Sequence, residues 1–162
     1  MYIPFESLPD SARVWIFPIT SDISIQKAAE LEKDLKSFVN EWTSHNTSLK
    51  ASAAIFENKF AVISVDESDY GASGCSIDKL MRFIQNAEGE HQISLLFKHK
   101  IFVKTGTQVK GLTINEIKVK LADGTLDTNH LYFDHLIDTK KKLRYEWLKP
   151  LREGWLAKKI LN

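Results

Sequence analysis

Three observations predict an α+β fold for this chain. Residues 12–19 (ARVWIFPI) and 60–65 (FAVISV) are apolar on both faces of a strand. Two other segments repeat apolar residues at spacings of three and four, and the elements follow one another in the order β-α-β-β-α-β. That order is the split βαβ, or ferredoxin-like, arrangement, in which the first and third strands occupy the middle of the sheet and must be apolar on both sides.

The elements are justified in turn. In residues 12–19, Val14 and Ile16 alternate with Trp15 and Phe17, the pattern of a central strand. The caps in SDIS open a segment in which Ala28, Leu31, Leu35, Phe38 and Trp42 lie on one helical face, giving a helix over about 23–44 that ends in the polar break TSHNTS. Strands at 50–56 (KASAAIF) and 60–65 are joined by ENK, a hairpin-length connection, and the second is the more continuously apolar. It is expected to bury both Val62 and Ile63, with Ala54 or Phe56 nearer an edge. Ile77, Leu80, Met81 and Ile84 then mark a second helix reaching about residue 88, and either ISLLF (93–97) or KIFVK (100–104) supplies the fourth strand.

Beyond residue 104 the pattern changes. TGTQVKG reads as a hairpin turn, LTINEIKVKLADG as a short helix closed by Gly124, and NHLYFDHLI as a strand. From Lys140 the residues Leu143, Trp147, Leu151 and Trp155 recur every four positions, with Pro150 set to kink or split any helix. The expected organisation is a ferredoxin-like core over 1–97 and a small C-terminal α/β appendage over 98–162, too short for a sizeable core of its own and packed on the first part.

Charge divides the same way. Residues 1–97 carry 8 Lys/Arg against 14 Asp/Glu, and residues 98–162 carry 14 against 7, although the whole chain is only +1. The two parts are expected to meet through an apolar contact rimmed by opposite charges. The lysines of the second part are scattered, and the run Lys140 to Lys142 reads as a solvated face. Nucleic acid is not an expected partner. A single cysteine excludes an internal disulfide, and no stretch has the length of a membrane span or the form of a secretory leader, so a cytoplasmic protein is expected.

The stretch DESDYGASGCSIDKLM (66–81) holds the candidate site. Cys75 falls where a helix begins, a position that favours the thiolate. In a split βαβ sheet the loop carrying His45 and the loop 66–75 emerge at one end, which makes Cys75 a nucleophile, His45 a base, and Asp66 or Glu67 an orienting acid. The other readings are a small-ligand or anion site at Ser73, Gly74 and Ser76, and a purely structural role in which the glycines make a turn, a serine caps the helix and the cysteine is a buried spacer. Alternation along a strand separates His130 and Asp134 from His135, so no metal site is expected there, and no cofactor is implied. The four tryptophans are assigned to packing.

YIPFESLP, ARVWIF, EWTSHNTSLKAS, VDES and GASGCSIDK together resemble a small bacterial family, without an assigned activity, commonly labelled "ABC transporter ATPase". GASGCSIDK has neither the spacing nor the lysine of a phosphate-binding loop and no Walker-B strand is evident, so the label is not supported by the residues, and the resemblance implies a complete protein and adds no known activity. Residues 101–155 are similar to GYF-type modules, in which a hairpin and a helix present aromatics to proline-rich peptides. The Gly-Pro-Phe and Gly-Tyr-Phe elements of such modules are absent here. The sequence therefore leads to a binding or interaction protein with an unknown protein or small-ligand partner, and to a thiol-dependent enzyme or redox-sensitive protein centred on Cys75 as the alternative.

Overall fold

Residues 13–91 build a three-stranded antiparallel sheet with two long helices on one face. The elements are β1 (Arg13–Pro18), α1 (Ile25–Glu41), a two-residue-strand hairpin β2 (Thr43–Ser44) and β3 (Thr47–Ser48), β4 (Lys50–Phe56), β5 (Phe60–Asp66) and α2 (Gly74–His91). In this computed structural model, which describes residues 1–96 and 99–162, the strand order is β1-β5-β4. The β5 strand is central, and both Val62 and Ile63 are buried while Ala54 and Phe56 on β4 are half-buried. Residues 1–3 run beside β4, where Ile3 N–H donates to the Ala51 carbonyl at 2.7 Å.

α1 stops at Glu41, earlier than the apolar spacing predicts. Trp42 turns to an extended backbone and donates its indole N–H to the Ser76 carbonyl at 2.9 Å, and the next residues pair as β2. Trp42 thus joins the end of α1 to the start of α2 from outside the helix. Leu31, Leu35 and Val39 of α1 and Leu80, Ile84 and Ala87 of α2 pack on Ala51, Ala53, Ile63 and Val65 to form the first core.

The rest of the chain forms a four-stranded antiparallel sheet of order β7-β6-β8-β9. Its elements are β6 (Ile101–Thr105), β7 (Gln108–Leu112), α3 (Ile114–Ala122), β8 (Leu131–Phe133), α4 (Lys140–Tyr145), β9 (Leu148–Pro150) and α5 (Gly154–Ile160). The stretch proposed as KIFVK is therefore committed to this second sheet, where β6 is hydrogen-bonded to β7 and β8 on its two sides. Ile93–Leu96 form no strand, and Phe97, the end of the other stretch, lies with Lys98 outside the described residues, as does the boundary set between 97 and 98. The free edge of β1 is met instead by the segment before α4: Val14 N–H donates to the Asp138 carbonyl at 2.9 Å, and Arg13 bridges Thr139.

The long strand expected from NHLYFDHLI is only three residues, and the helix expected from Lys140 is split, with β9 between α4 and α5. A second core, including Ile101, Val103, Ile117, Tyr132, Leu151 and Leu156, lies between this sheet and its helices. A third joins the two parts: Val14, Ile16, Phe60 and Val62, on the face of the first sheet away from α1 and α2, pack against Phe102, Phe133, Ile137 and Leu143. Trp147 sits in the same cluster, its ring 5.0 Å from that of Phe60. Arg144 lies at its rim, 2.8 Å from Glu6 and 3.6 Å from Asp10.

Lys140 corrects the reading of the 140–142 run as a solvated face. It is 1% exposed, and its ammonium donates to the carbonyls of Glu6 at 3.0 Å and Leu8 at 2.5 Å, with the Phe5 ring 5.2 Å away. A buried ammonium must recover the hydrogen bonds it loses from water, and the turn at Phe5–Ser7 supplies carbonyls for this.

Candidate functional site

The loop between β5 and α2 is held by its own polar groups. Asp66 accepts from the Ser68 hydroxyl and from Ser68 N–H at 3.0 Å, and these bonds keep its carboxyl below the usual carboxylate range. Glu67 accepts from Ala72 N–H at 2.9 Å and lies 3.8 Å from the Arg13 guanidinium. Asp69 pairs with Lys50 at 2.7 Å. Ser73 is the N-cap of α2, accepting from Ser76 N–H at 3.2 Å, and the two hydroxyls lie 2.8 Å apart. The buried Ser76 donates its hydroxyl to the Thr43 carbonyl at 2.9 Å, fastening α2 to the β2–β3 hairpin.

That bond brings the start of α2 to the hairpin that carries His45. His45 and Asn46 form its two-residue turn with φ of 48° and 66°, the left-handed pair that a tight hairpin requires. Both His45 and Cys75 are exposed, so the cysteine is not a buried spacer. Among the described residues no hydrogen bond joins Cys75 to His45, and Asp66 and Glu67 are engaged within the loop. Gly74 has open space where a side chain would be, so no close approach requires a glycine there. Beside the loop, a cleft of about 210 Å³ is lined by Met1, Leu49, Lys50, Asp66, Asp69 and Tyr70, while the cap residues Ser73, Gly74 and Ser76 lie outside its lining.

A different arrangement occurs in the C-terminal part. Asp134 follows β8 and its side chain is almost fully buried. It accepts from the Lys149 ammonium at 2.7 Å, from Leu136 N–H at 2.9 Å and from the Trp155 indole N–H at 3.1 Å. Burial pushes this carboxyl up; the hydrogen bonds from Lys149, Leu136 and Trp155 and the Lys149 charge outweigh it, and the pKa lies below the usual carboxylate value.

Trp155, half-buried on α5, is thereby fixed at the wall of a cleft of about 390 Å³ lined by His99, Ile101, Thr113–Asn115, His135 and Trp155. Its ring stands edge to face with His135 at 5.4 Å and with Tyr132 at 6.4 Å. Tyr132 is wholly buried, donates its hydroxyl to the Glu153 carbonyl at 3.2 Å, and has its pKa pushed up to about 12 by burial first and the Asp134 charge second. On the far side of the cleft, α3 begins with a capping box between Thr113 and Glu116.

The sequence reading of His130, Asp134 and His135 is changed in its reason. β8 ends at Phe133, so strand alternation does not reach Asp134 or His135, and His130 instead accepts at Nδ1 from Asp127 N–H at 3.0 Å. Asp134 is committed to Lys149 and Trp155. Trp155 and its anchor Asp134 were not singled out as a site by sequence reasoning. The Thr113-x-x-Glu116 spacing marks one wall of the cleft, but no local pattern pairs Asp134 with Trp155. Compared with protein-family models, curated proteins and solved structures, the chain matches none of them.

Proposed function

We propose that this chain is a non-enzymatic interaction protein that holds an extended, proline-rich segment of a protein partner in the Trp155 cleft. The observation that carries this reading is the anchored indole. A buried, charge-paired carboxylate is used to hold an aromatic ring at the surface, with apolar Ile101 and Ile114 and the polar Thr113 and Asn115 lining the same cleft. A rigid aromatic wall with a few placed polar groups suits a ligand of low conformational entropy, such as a polyproline segment. The likeness of residues 101–155 to GYF-type modules points to the same ligand class. Tyr132 and Phe133 are buried here, so the contact ring is Trp155.

In this reading residues 13–91 are a split βαβ, ferredoxin-like scaffold whose fourth-strand edge is met in part by Asp138–Thr139, and the exposed, unpaired Cys75 accords with a reducing cytoplasm. The thiol-enzyme alternative is disfavoured by the commitment of Asp66 and Glu67 to loop bonds. The test is binding of a proline-rich peptide panel to the full chain and to Trp155→Ala, with circular dichroism to confirm the fold. A folded variant should lose at least about tenfold in affinity, a contribution of about 1.4 kcal/mol. Equal binding by both proteins, or none across the panel, would reject the assignment.

A further inference from the structure

Outside both regions, α1 and α2 bring a mixed set of ligand groups together. Asp34 on α1 and the adjacent Glu90 and His91 in the last turns of α2 each offer an atom within 4.8 Å of the others. His91 is 8% exposed, and its Nε2 lies 2.9 Å from Asp34 Oδ2. We infer that Asp34, Glu90 and His91 form a binding site for a first-row divalent transition ion of the zinc class, which clamps α1 to α2.

Three features support the site. The first is distance. An ion held tetrahedrally by bonds of about 2.0–2.1 Å places neighbouring ligand atoms about 3.3–3.4 Å apart, so the 2.9 Å between His91 Nε2 and Asp34 Oδ2 has to open by only about 0.4 Å for both to bind one ion, with the imidazole proton replaced by the metal. The second is charge. Among the described residues Glu90 has no hydrogen bond or ion pair, and neither has Glu41, which lines the same cleft. Asp34 has only His91. Crowded carboxylates without a lysine or arginine repel one another, and a dication relieves that cost.

The third is access and rigidity. The cleft of about 360 Å³ lined by Asp34 and Glu90 is open to solvent, and its wall includes the stacked Phe38 and Phe83, ring centres 4.5 Å apart, which set the spacing of the two helices; His91 reaches it through its contact with Asp34. The inclusion of a nearly buried imidazole selects the class: imidazole suits zinc, copper and nickel, whereas calcium and magnesium prefer oxygen ligands alone. Three protein ligands leave a coordination position for water.

The experiment is calorimetric titration of the full chain with zinc chloride in a non-chelating buffer, with thermal melts and imidazole NMR alongside. One equivalent should bind, raise Tm and shift the Nε2 resonance of His91. Asp34→Asn and Glu90→Gln, both at solvent-accessible positions, should keep the metal-free Tm near wild type and weaken binding about tenfold or more. The NMR readout tests His91 without substituting a buried residue. No binding, binding unchanged in both variants, loss of binding in Cys75→Ser, an unmoved His91 signal, or magnesium and calcium competing equally with zinc would each overturn the site.

Discussion

The 66–76 loop and the Trp155 cleft spend their polar groups differently. In the loop Asp66, Glu67 and Ser73 bond to groups within the loop and the start of α2, and Ser76 to the Thr43 carbonyl of the hairpin, so their work ends in fixing the chain. In the cleft Asp134 bonds outward to Lys149 and Trp155, residues 15 and 21 positions away, and holds a side chain at the surface. Groups that fix backbone make a scaffold; on the proposed function, the group that orients the Trp155 ring makes a contact surface. Substitutions should therefore separate the two regions by what they change.

The largest effect is expected at Asp134. Replacing it by Ala leaves the Trp155 N–H without its acceptor and the partly exposed Lys149 ammonium without its partner, costing about 1–3 kcal/mol for the indole donor alone and releasing the ring. Denaturant melts with the peptide assay should show both losses together. The same carboxylate gives a pH signature. Its folded pKa is depressed, so its stabilisation is complete above the unfolded value of about 3.9 and fades as pH falls through the folded one. Melting temperature followed from neutral to acid pH should drop less steeply in Asp134→Asn than in wild type.

Gly154 comes next. It has φ of +70°, and an added Cβ would meet the Tyr132 hydroxyl at 2.6 Å, immediately before Trp155. Gly154→Ala should cost about 1–3 kcal/mol and weaken peptide binding by displacing the start of α5. Unchanged stability would show that α5 is not held where Trp155 needs it.

On the loop side the effects should be smaller and confined to stability. Ser73→Ala, which removes the cap of α2, should cost about 0.5–2 kcal/mol, and the exposed Cys75→Ser should stay within about 0.5 kcal/mol. Neither should alter peptide affinity. A Cys75→Ser chain that keeps its fold and loses binding would move the functional centre back to the loop.

What could be read in the sequence was what is decided locally. The two-sided apolar pattern of residues 60–65 identified the central β5, the three-four spacing found α1 and α2, and the Ser-rich stretch marked the start of α2. What could not be read depends on distant partners. KIFVK and ISLLF are equally strand-like, and β6 is placed by pairing with β8, nearly thirty residues on. The burial of Lys140 depends on carbonyls 134 and 132 positions away. The pairing of Asp134 with Trp155 leaves no periodic trace, and the four-residue spacing of Leu143, Trp147, Leu151 and Trp155 reads as a helix kinked or split at Pro150, with no sign that the interruption is a strand. Each distant contact falls where local pattern is ambiguous or silent.

The contrast between loop and cleft is tested most directly by backbone and indole NMR of the full chain titrated with a proline-rich peptide. The expected result is saturable shifts at Thr113, Ile114, Asn115 and the Trp155 indole N–H, with Asp66 to Ser76 unmoved. Shifts centred on residues 66–76, or none at the Trp155 indole, would contradict the account.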